Sequence, residues 1–271
     1  MIRRPFCLML TVVLLLPLGL LADKDDDKGN SACSGLPSHS ELKDALTAAR
    51  GEANGGFDLD MWGTIVNRDG VVCAVAFTGD DRGDQWPGSR VISAQKANTA
   101  NAFSLPGLAL STANLWAAVQ PGGSLFGLQH SNPVDTDAAY GGNPMNNGQS
   151  NDPMRHERIG GVNVFGGGLA LYDAAGTLLG AVGVSGDSSC ADHNIAWRTR
   201  DALGLDFVPG GVGAPGDNII FDLVDDAGGN PESPSGFGHP ECGVGPDPDA
   251  VDNAAVVGAC PLGDGATAGC V

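Results

Sequence analysis

The sequence predicts an α+β fold in which an antiparallel sheet of about five strands is flanked by helices. Two observations support this prediction. Segments with helical and strand periodicity follow one another in the order helix, hairpin, helix, hairpin, helix. The strand segments of each hairpin are joined by a short turn, which is how antiparallel neighbours are connected. A long loop insert and a Gly/Pro-rich C-terminal tail complete the chain.

The first helix and the first hairpin have clear local patterns. Ser38 and Glu41 have the spacing of a capping box, and apolar residues recur on one face after them, which predicts a helix over residues 39–50. Residues 60–67 and 71–78 are rich in apolar and β-branched residues and flank a short turn that contains glycine. We therefore expect two antiparallel strands here.

The second helix is expected to be capped by Ser89 and to end at Phe103. Residues 104–160 then contain many Gly, Pro and Asn turn patterns and little periodicity. A loop of this length is uncommon in a compact domain and is usually functional or disordered.

The second hairpin is predicted over residues 167–172 and 177–184. A third helix follows, capped by Ser188 or Ser189 and continuing through Leu203. This helix completes the predicted order of elements.

The first 22 residues have the pattern of a signal peptide: two arginines, a leucine-rich core and a polar exit. They predict a secreted or periplasmic protein. The pair Arg3-Arg4 is compatible with twin-arginine export, whereas the leucine-rich core favours the general secretory route. The apolar run is short for a span of ~20 residues, so no stable membrane insertion is expected.

These patterns divide the chain into four parts. Residues 1–22 are the predicted signal peptide, and residues 23–37 are a polar leader. Residues 38–204 form the predicted domain, which includes the insert 104–160. Residues 205–271 form a cysteine-containing tail rich in Gly and Pro.

Charge and cysteine content limit the possible partners. The 14 basic and 32 acidic residues make the chain strongly acidic, so nucleic acid is not an expected partner. Removing the predicted signal peptide removes Cys7 and leaves an even number of cysteines, which in an exported chain predicts disulfides. The pairing stays open, with Cys73 as one possible partner of Cys190. The candidates are Cys33, Cys73, Cys190, Cys242, Cys260 and Cys270.

Two blocks of sequence resemble one known family. Residues 96–103, KANTANAF, resemble the KA-x-TA-x-x-F helix of the GlcG/HbpS family of haem-binding-like proteins. A second block resembles that family's GG…G-A-x-G-V-S-G…D…A pattern. It consists of Gly167-Gly168, residues 180–186, Asp192 and Ala196.

The resemblance implies an α+β domain, also found as the PduO C-terminal-type domain, that commonly assembles into homo-oligomers. Members of the family have been linked to haem binding, to corrinoid adenosyltransferases and to gene neighbourhoods for small hydroxy acids. A fold alone does not choose among such functions.

Haem requires an axial ligand, usually a neutral histidine, and an apolar slot. His193 is the first candidate because it follows the family's turn directly and lies next to Asp192, the residue matched to the motif. His156 and His130 lie in the insert, where Arg158 is a candidate partner for propionates. The alternative is that His193 is exposed at a helix end and that the insert residues are solvated.

Three functional hypotheses follow. The first is an exported protein that binds a tetrapyrrole, haem above all, for scavenging, storage or sensing. The second is an enzyme, or an accessory of one, that acts on a small hydroxy acid or alcohol, with His193 as acid or base and Arg158 binding the carboxylate. The third is a disulfide-stabilised structural module. His239 is expected in a tail loop with no role in binding.

Overall fold

The computed structural model describes residues 32–226, 228–243 and 263. The predicted signal peptide, most of the polar leader, Cys260 and Cys270 lie outside the described residues. Among the helices described, none has both the length and the apolar character needed to cross a membrane.

The elements of the described part are named in chain order. They are α1 (His39–Arg50), β1 (Trp62–Asn67), β2 (Val72–Phe77), α2 (Ser89–Phe103), α3 (Leu128–Ser131), α4 (Thr136–Tyr140), β3 (Gly168–Tyr172), β4 (Leu178–Ser185), α5 (Ser189–Ala202), β5 (Val224–Asp225) and β6 (Pro231–Glu232).

The main sheet has four strands in the order β2-β1-β4-β3, and every neighbouring pair is antiparallel. Trp62 at the start of β1 pairs with Ser185 at the end of β4. In the tail, β5 and β6 pair to form a separate small sheet. The predicted α+β class with an antiparallel sheet is therefore confirmed.

Both faces of the main sheet are covered, which explains why nearly every strand residue is buried. Helices α1 and α5 lie on one face, where Leu46, Ile65 and Trp197 belong to one apolar cluster. Helix α2 and part of the insert lie on the other face, where Val66 and Met154 belong to a second cluster. Successive residues of β1 point to opposite faces, as strand geometry requires.

Glycines allow α2 to lie directly on the sheet. A Cβ at Gly183 of β4 would overlap the carbonyl oxygen of Ser93, and a Cβ at Gly168 of β3 would overlap the carbonyl oxygen of Lys96. These glycines belong to the second family-like block, so the block is needed for this close packing of helix and strand.

The insert is folded against the body of the domain. Asp152 accepts hydrogen bonds from the backbone N–H groups of Gly148 at 2.6 Å and Met154 at 2.8 Å. It also forms a buried ion pair with Arg90 of α2, whose Nε lies 2.9 Å from Oδ2. The long loop expected from the turn patterns is thus anchored by a buried charge pair.

The tail is anchored in the same way. Arg200 of α5 and Asp217 form a bidentate ion pair with N···O distances of 2.8 and 2.9 Å, and both side chains are 0% exposed. Asn114 of the insert donates from Nδ2 to the carbonyl oxygen of Asn218 at 2.9 Å. The start of the tail therefore packs between α5 and the insert.

Two disulfides are formed among the described cysteines, Cys33–Cys73 and Cys190–Cys242. The possible pairing of Cys190 with Cys73 is wrong. Cys73 on β2 lies on the sheet face that α1 covers, where Cys33 packs just before that helix. Cys190 lies in the first turn of α5 beside the tail, where Cys242 packs in the same apolar cluster.

Candidate functional site

The first turn of α5 is the centre of the candidate site. Strand β4 ends at Ser185, and Ser188 caps the helix by accepting a hydrogen bond from the N–H of Ala191 at 3.3 Å. The carboxylate of Asp187 accepts bonds from the backbone N–H groups of Phe57 and Leu59 at 2.9 and 3.0 Å. These bonds hold the turn in place, so the side chains that follow it are directed into the interior.

Asp192 lies in this turn and pairs with Lys96 of α2. Lys96 Nζ donates to Asp192 Oδ2 at 2.6 Å and to the carbonyl oxygen of Val184 at 3.1 Å. The other carboxylate oxygen of Asp192 accepts from the N–H groups of Gly186 and Asp187. Burial lowers the pKa of Lys96, and the charge of Asp192 opposes that shift. Burial raises the pKa of Asp192 to about 6, against the opposing effect of Lys96.

His193 is 0% exposed, although its helix position suggested a solvent-exposed alternative. Its Cβ lies below Gly166, and its ring centroid is 6.0 Å from that of Trp197. Within the described residues neither ring nitrogen has a hydrogen-bond partner of good geometry. The side-chain amide of Asn218 is close enough to raise the pKa of His193 slightly. Burial outweighs that effect and, with the positive charge of Arg200, lowers the pKa of His193 to about 3. The imidazole is therefore neutral at physiological pH.

Ser189 and His239 form a second buried arrangement beside it. Ser189 Oγ accepts from the N–H of Gly166 at 2.7 Å and lies 2.8 Å from His239 Nε2. His239 Nδ1 lies 2.7 Å from the carbonyl oxygen of Pro240. Because a carbonyl only accepts, Nδ1 carries the proton, and Nε2 accepts from the Ser189 hydroxyl. Burial lowers the pKa of His239 to about 4.

The candidate residues of the insert are placed elsewhere. His156 is exposed, and its backbone N–H donates to the first residue of β2. Arg158 is exposed, and its Nε donates to the carbonyl oxygen of Asp69 in the β1–β2 turn. That turn and the start of α5 lie at opposite ends of β1, about 17 Å apart for a strand of this length. His130 is exposed in α3, whereas His193 is buried. The ligand roles assigned to these residues stay predictions.

Comparison with known proteins identifies the domain. The family model described as "Haem degrading protein HbpS-like" matches residues 38–200. The chain belongs to this family. A comparison with curated proteins found no match.

Two solved structures are similar to the HbpS-like chain. One is described as the crystal structure of a PduOC:heme complex, with 23% identity and a TM-score of 0.40, covering 60% of this chain and 89% of that one. The other is the Klebsiella pneumoniae protein ORFY, of the DUF336 family, with 23% identity and a TM-score of 0.40, covering 62% and 90%.

Within the HbpS-like domain, one buried side chain fits haem in its donor chemistry. Haem iron takes a neutral imidazole nitrogen, and both ring nitrogens of His193 are without a well-formed hydrogen bond among the described residues. The ring is fully covered, so a macrocycle reaches it only if a covering segment moves. The side chain of Asn218 lies beside the ring, so the start of the tail is one such covering segment.

Sequence reasoning missed two features of the site. The first is the ion pair between Lys96, in one family-like block, and Asp192, in the other. The available indication was that Lys96 is a charged residue in a helix that is otherwise buried. His239 lies in a tail loop, as expected, but it is only 2% exposed. Its spacing from Cys242, with two residues between them, was the available indication that it belongs to a cluster.

Proposed function

We propose that this protein is exported and binds haem, with His193 supplying the axial nitrogen. The observation that carries the proposal is a fully buried, neutral imidazole that has no well-formed hydrogen bond to any residue the structure describes, in a domain of the HbpS-like family. A buried polar group without a partner is costly for a folded protein. A ligand that coordinates the ring would remove that cost.

The side chains around His193 prepare it as a ligand. Burial, together with the charge of Arg200, lowers the pKa of the ring and keeps it unprotonated at physiological pH, so its lone pair is available to a metal. The Lys96–Asp192 pair fixes the first helical turn on which the ring is carried. Haem, when bound, would supply an iron atom that accepts this nitrogen.

The tail controls access in this proposal. The start of the tail is held over α5 by two contacts, the Arg200–Asp217 ion pair and the Asn114–Asn218 hydrogen bond. We therefore expect haem to bind slowly, at a rate set by opening of this segment, and expect Asp217→Asn to bind faster than the unaltered protein. The rate is measured by stopped-flow absorbance.

The decisive experiment is a haem titration followed by absorbance in the Soret region. We expect a saturable change at one haem per chain, and a loss of about tenfold or more in affinity for His193→Ala. Added imidazole should restore the spectrum of that variant because it replaces the missing nitrogen. His130→Ala and His156→Ala, which alter exposed histidines, are the matched controls.

Two results would refute the proposal: no saturable change at micromolar haem, or equal affinity for His193→Ala and the unaltered protein. If His156→Ala or His130→Ala removes binding instead, the insert supplies the ligand. The alternative function is an enzyme in which His193 is the acid or base and Arg158 binds the carboxylate of a small acid. The distance between these two residues gives it no support.

Export is the second half of the proposal. It is supported by the pattern of the first 22 residues and by two disulfides, which persist in oxidising compartments. Mass spectrometry of the protein recovered outside the cytoplasm should show a chain that starts near Asp23. An intact N-terminus would contradict export by cleavage. Homo-oligomer formation, which the family resemblance implies, is measured on the same material by analytical ultracentrifugation.

A further inference from the structure

Three metal-binding side chains meet where the tail crosses the start of α5. They are Cys190 on the helix and His239 and Cys242 in the tail, and one donor atom from each lies within 4.8 Å of the others. Cys190 and His239 are buried, and Cys242 is half-buried. Two thiolates and one imidazole form a donor set that zinc takes in proteins.

The backbone supports negative charge on these sulfur atoms. The N–H of Cys190 donates to Cys242 Sγ at 3.1 Å, in the first turn of the 14-residue helix α5. A helix N-terminus stabilises thiolates. The Cα atoms of the two cysteines are 6.0 Å apart, so their side chains can converge on one ion as well as on each other.

One nitrogen of the imidazole can accept a metal ion. The proton on His239 Nδ1 is held by the carbonyl oxygen of Pro240, and the lone pair on Nε2 accepts from the Ser189 hydroxyl at 2.8 Å, a hydrogen bond that the ion would replace. This is the usual arrangement of a ligating histidine, whose other nitrogen donates to a backbone carbonyl or a carboxylate. The backbone N–H of His239 donates to Ile220, which fixes the residue itself.

A cavity lies beside one member of the cluster. It has a volume of about 310 Å³ and is bordered by Phe221, Leu223, His239, Pro240 and Glu241. It offers an ion a path toward His239. Zinc sites with three protein ligands take water as a fourth.

We propose that Cys190, His239 and Cys242 form a redox-controlled zinc site. In this structure the two cysteines form a disulfide. A dithiol reductant would supply two electrons and two protons: the bond between the sulfur atoms breaks, each sulfur becomes a thiol, and the reductant becomes a disulfide. Zn²⁺ then binds the two sulfur atoms and Nε2 of His239, and the two thiol protons leave to solvent. The site does not depend on haem binding.

The test uses the full chain with Cys7, Cys260 and Cys270 replaced by alanine, so that cysteines outside the described residues do not bind metal. The protein is reduced with a phosphine, desalted without oxygen, and titrated with Zn²⁺ against a chromogenic chelator. Co²⁺ reports thiolate ligands by its charge-transfer absorption. We expect one Zn²⁺ per reduced chain, none for the oxidised chain, and affinity lower by about tenfold or more for His239→Gln.

The controls separate this site from the rest of the chain. Cys33→Ala/Cys73→Ala removes the other disulfide, and His130→Gln alters an exposed histidine; both should keep the zinc site. The proposal would be overturned if the Cys190→Ala/Cys242→Ala variant bound Zn²⁺ as tightly as the reduced chain. It would also be overturned if His239→Gln left the affinity for Zn²⁺ unchanged. A reduced chain that loses its near-ultraviolet circular dichroism and does not regain it with Zn²⁺ would overturn it too.

Discussion

Replacing Asp192 by asparagine tests the buried ion pair beneath the site. The substitution keeps one oxygen for the N–H groups of Gly186 and Asp187 and places an amide where Lys96 now finds a carboxylate. The ammonium group then has the carbonyl oxygen of Val184 as its remaining acceptor among those described. A cation would thus stay buried without a counter-charge.

The expected loss follows from the burial of both partners, whose side chains are 1% and 3% exposed. Removing one partner of a buried ion pair costs about 3–5 kcal/mol. For a chain of this size each kcal/mol lowers the melting temperature by about 2–4 °C. Asp192→Asn should therefore melt roughly 6–20 °C below the unaltered protein.

The assay is equilibrium unfolding in urea at pH 8, where Asp192 is ionised, without reductant so that both disulfides stay closed. Lys96→Met and the double variant Asp192→Asn/Lys96→Met complete a thermodynamic cycle. The double variant should recover much of the stability because no charge is left unpaired. The reasoning would be refuted if Asp192→Asn lowered the free energy of unfolding by less than about 1 kcal/mol. It would also be refuted if the double variant lost as much stability as the two single variants added together.

Three further predictions concern other parts of the fold. In Tyr140→Phe the one remaining phenol is Tyr172, and burial raises its pKa to about 12, so its phenolate absorbance should appear near that pH. The stability that the neutral phenol contributes is complete below pH 10 or so and is lost as the pH rises toward 12, at about 1.4 kcal/mol per pH unit. Gly183→Ala should cost about 1–3 kcal/mol by urea unfolding, because its Cβ would overlap a backbone carbonyl of α2. Asp217→Asn should leave the charge of Arg200 buried and make the tail sensitive to limited proteolysis.

Each of these predictions has a control or a refuting result. A phenolate transition near pH 10 in the folded protein would show that Tyr172 is not buried as described. Gly107→Ala, where a Cβ would meet no atom within 4 Å, should be nearly neutral, and an equal loss for both glycine variants would contradict the packing argument. Asp226→Asn alters an exposed tail carboxylate, and tail cleavage as fast as in Asp217→Asn would exclude a special role for the buried pair.

Local sequence patterns predicted the elements of the sheet and its helices. The capping box of Ser38 and Glu41 is present at the start of α1, and Ser188 caps α5. The expectation that Ser89 caps α2 is wrong, since Gly88 occupies that position and Ser89 is the first helical residue. Strands of β-branched residues beside short turns were recognisable because the determinants of a hairpin are close together in sequence.

The arrangement of the insert and the tail was not predictable by the same means. Arg90 and Asp152 are separated by 62 residues, and their pairing leaves no periodic trace in the sequence. Cys242, the disulfide partner of Cys190, comes from the tail, outside the family match, so the family motifs did not indicate it. Long-range charge pairs and disulfides depend on the folded geometry, which a local pattern does not contain.

Helix α5 connects the domain matched by the family model to the tail that follows it. Ser189 and Cys190 contact the tail, Asp192 contacts α2, and Arg200 on the same helix binds Asp217 beyond the family match. A fragment ending at residue 204 would keep every family motif and still lose the partner of a buried guanidinium. The family match thus ends at a residue whose buried charge the tail neutralises, and domain-exchange experiments should carry the tail with the domain.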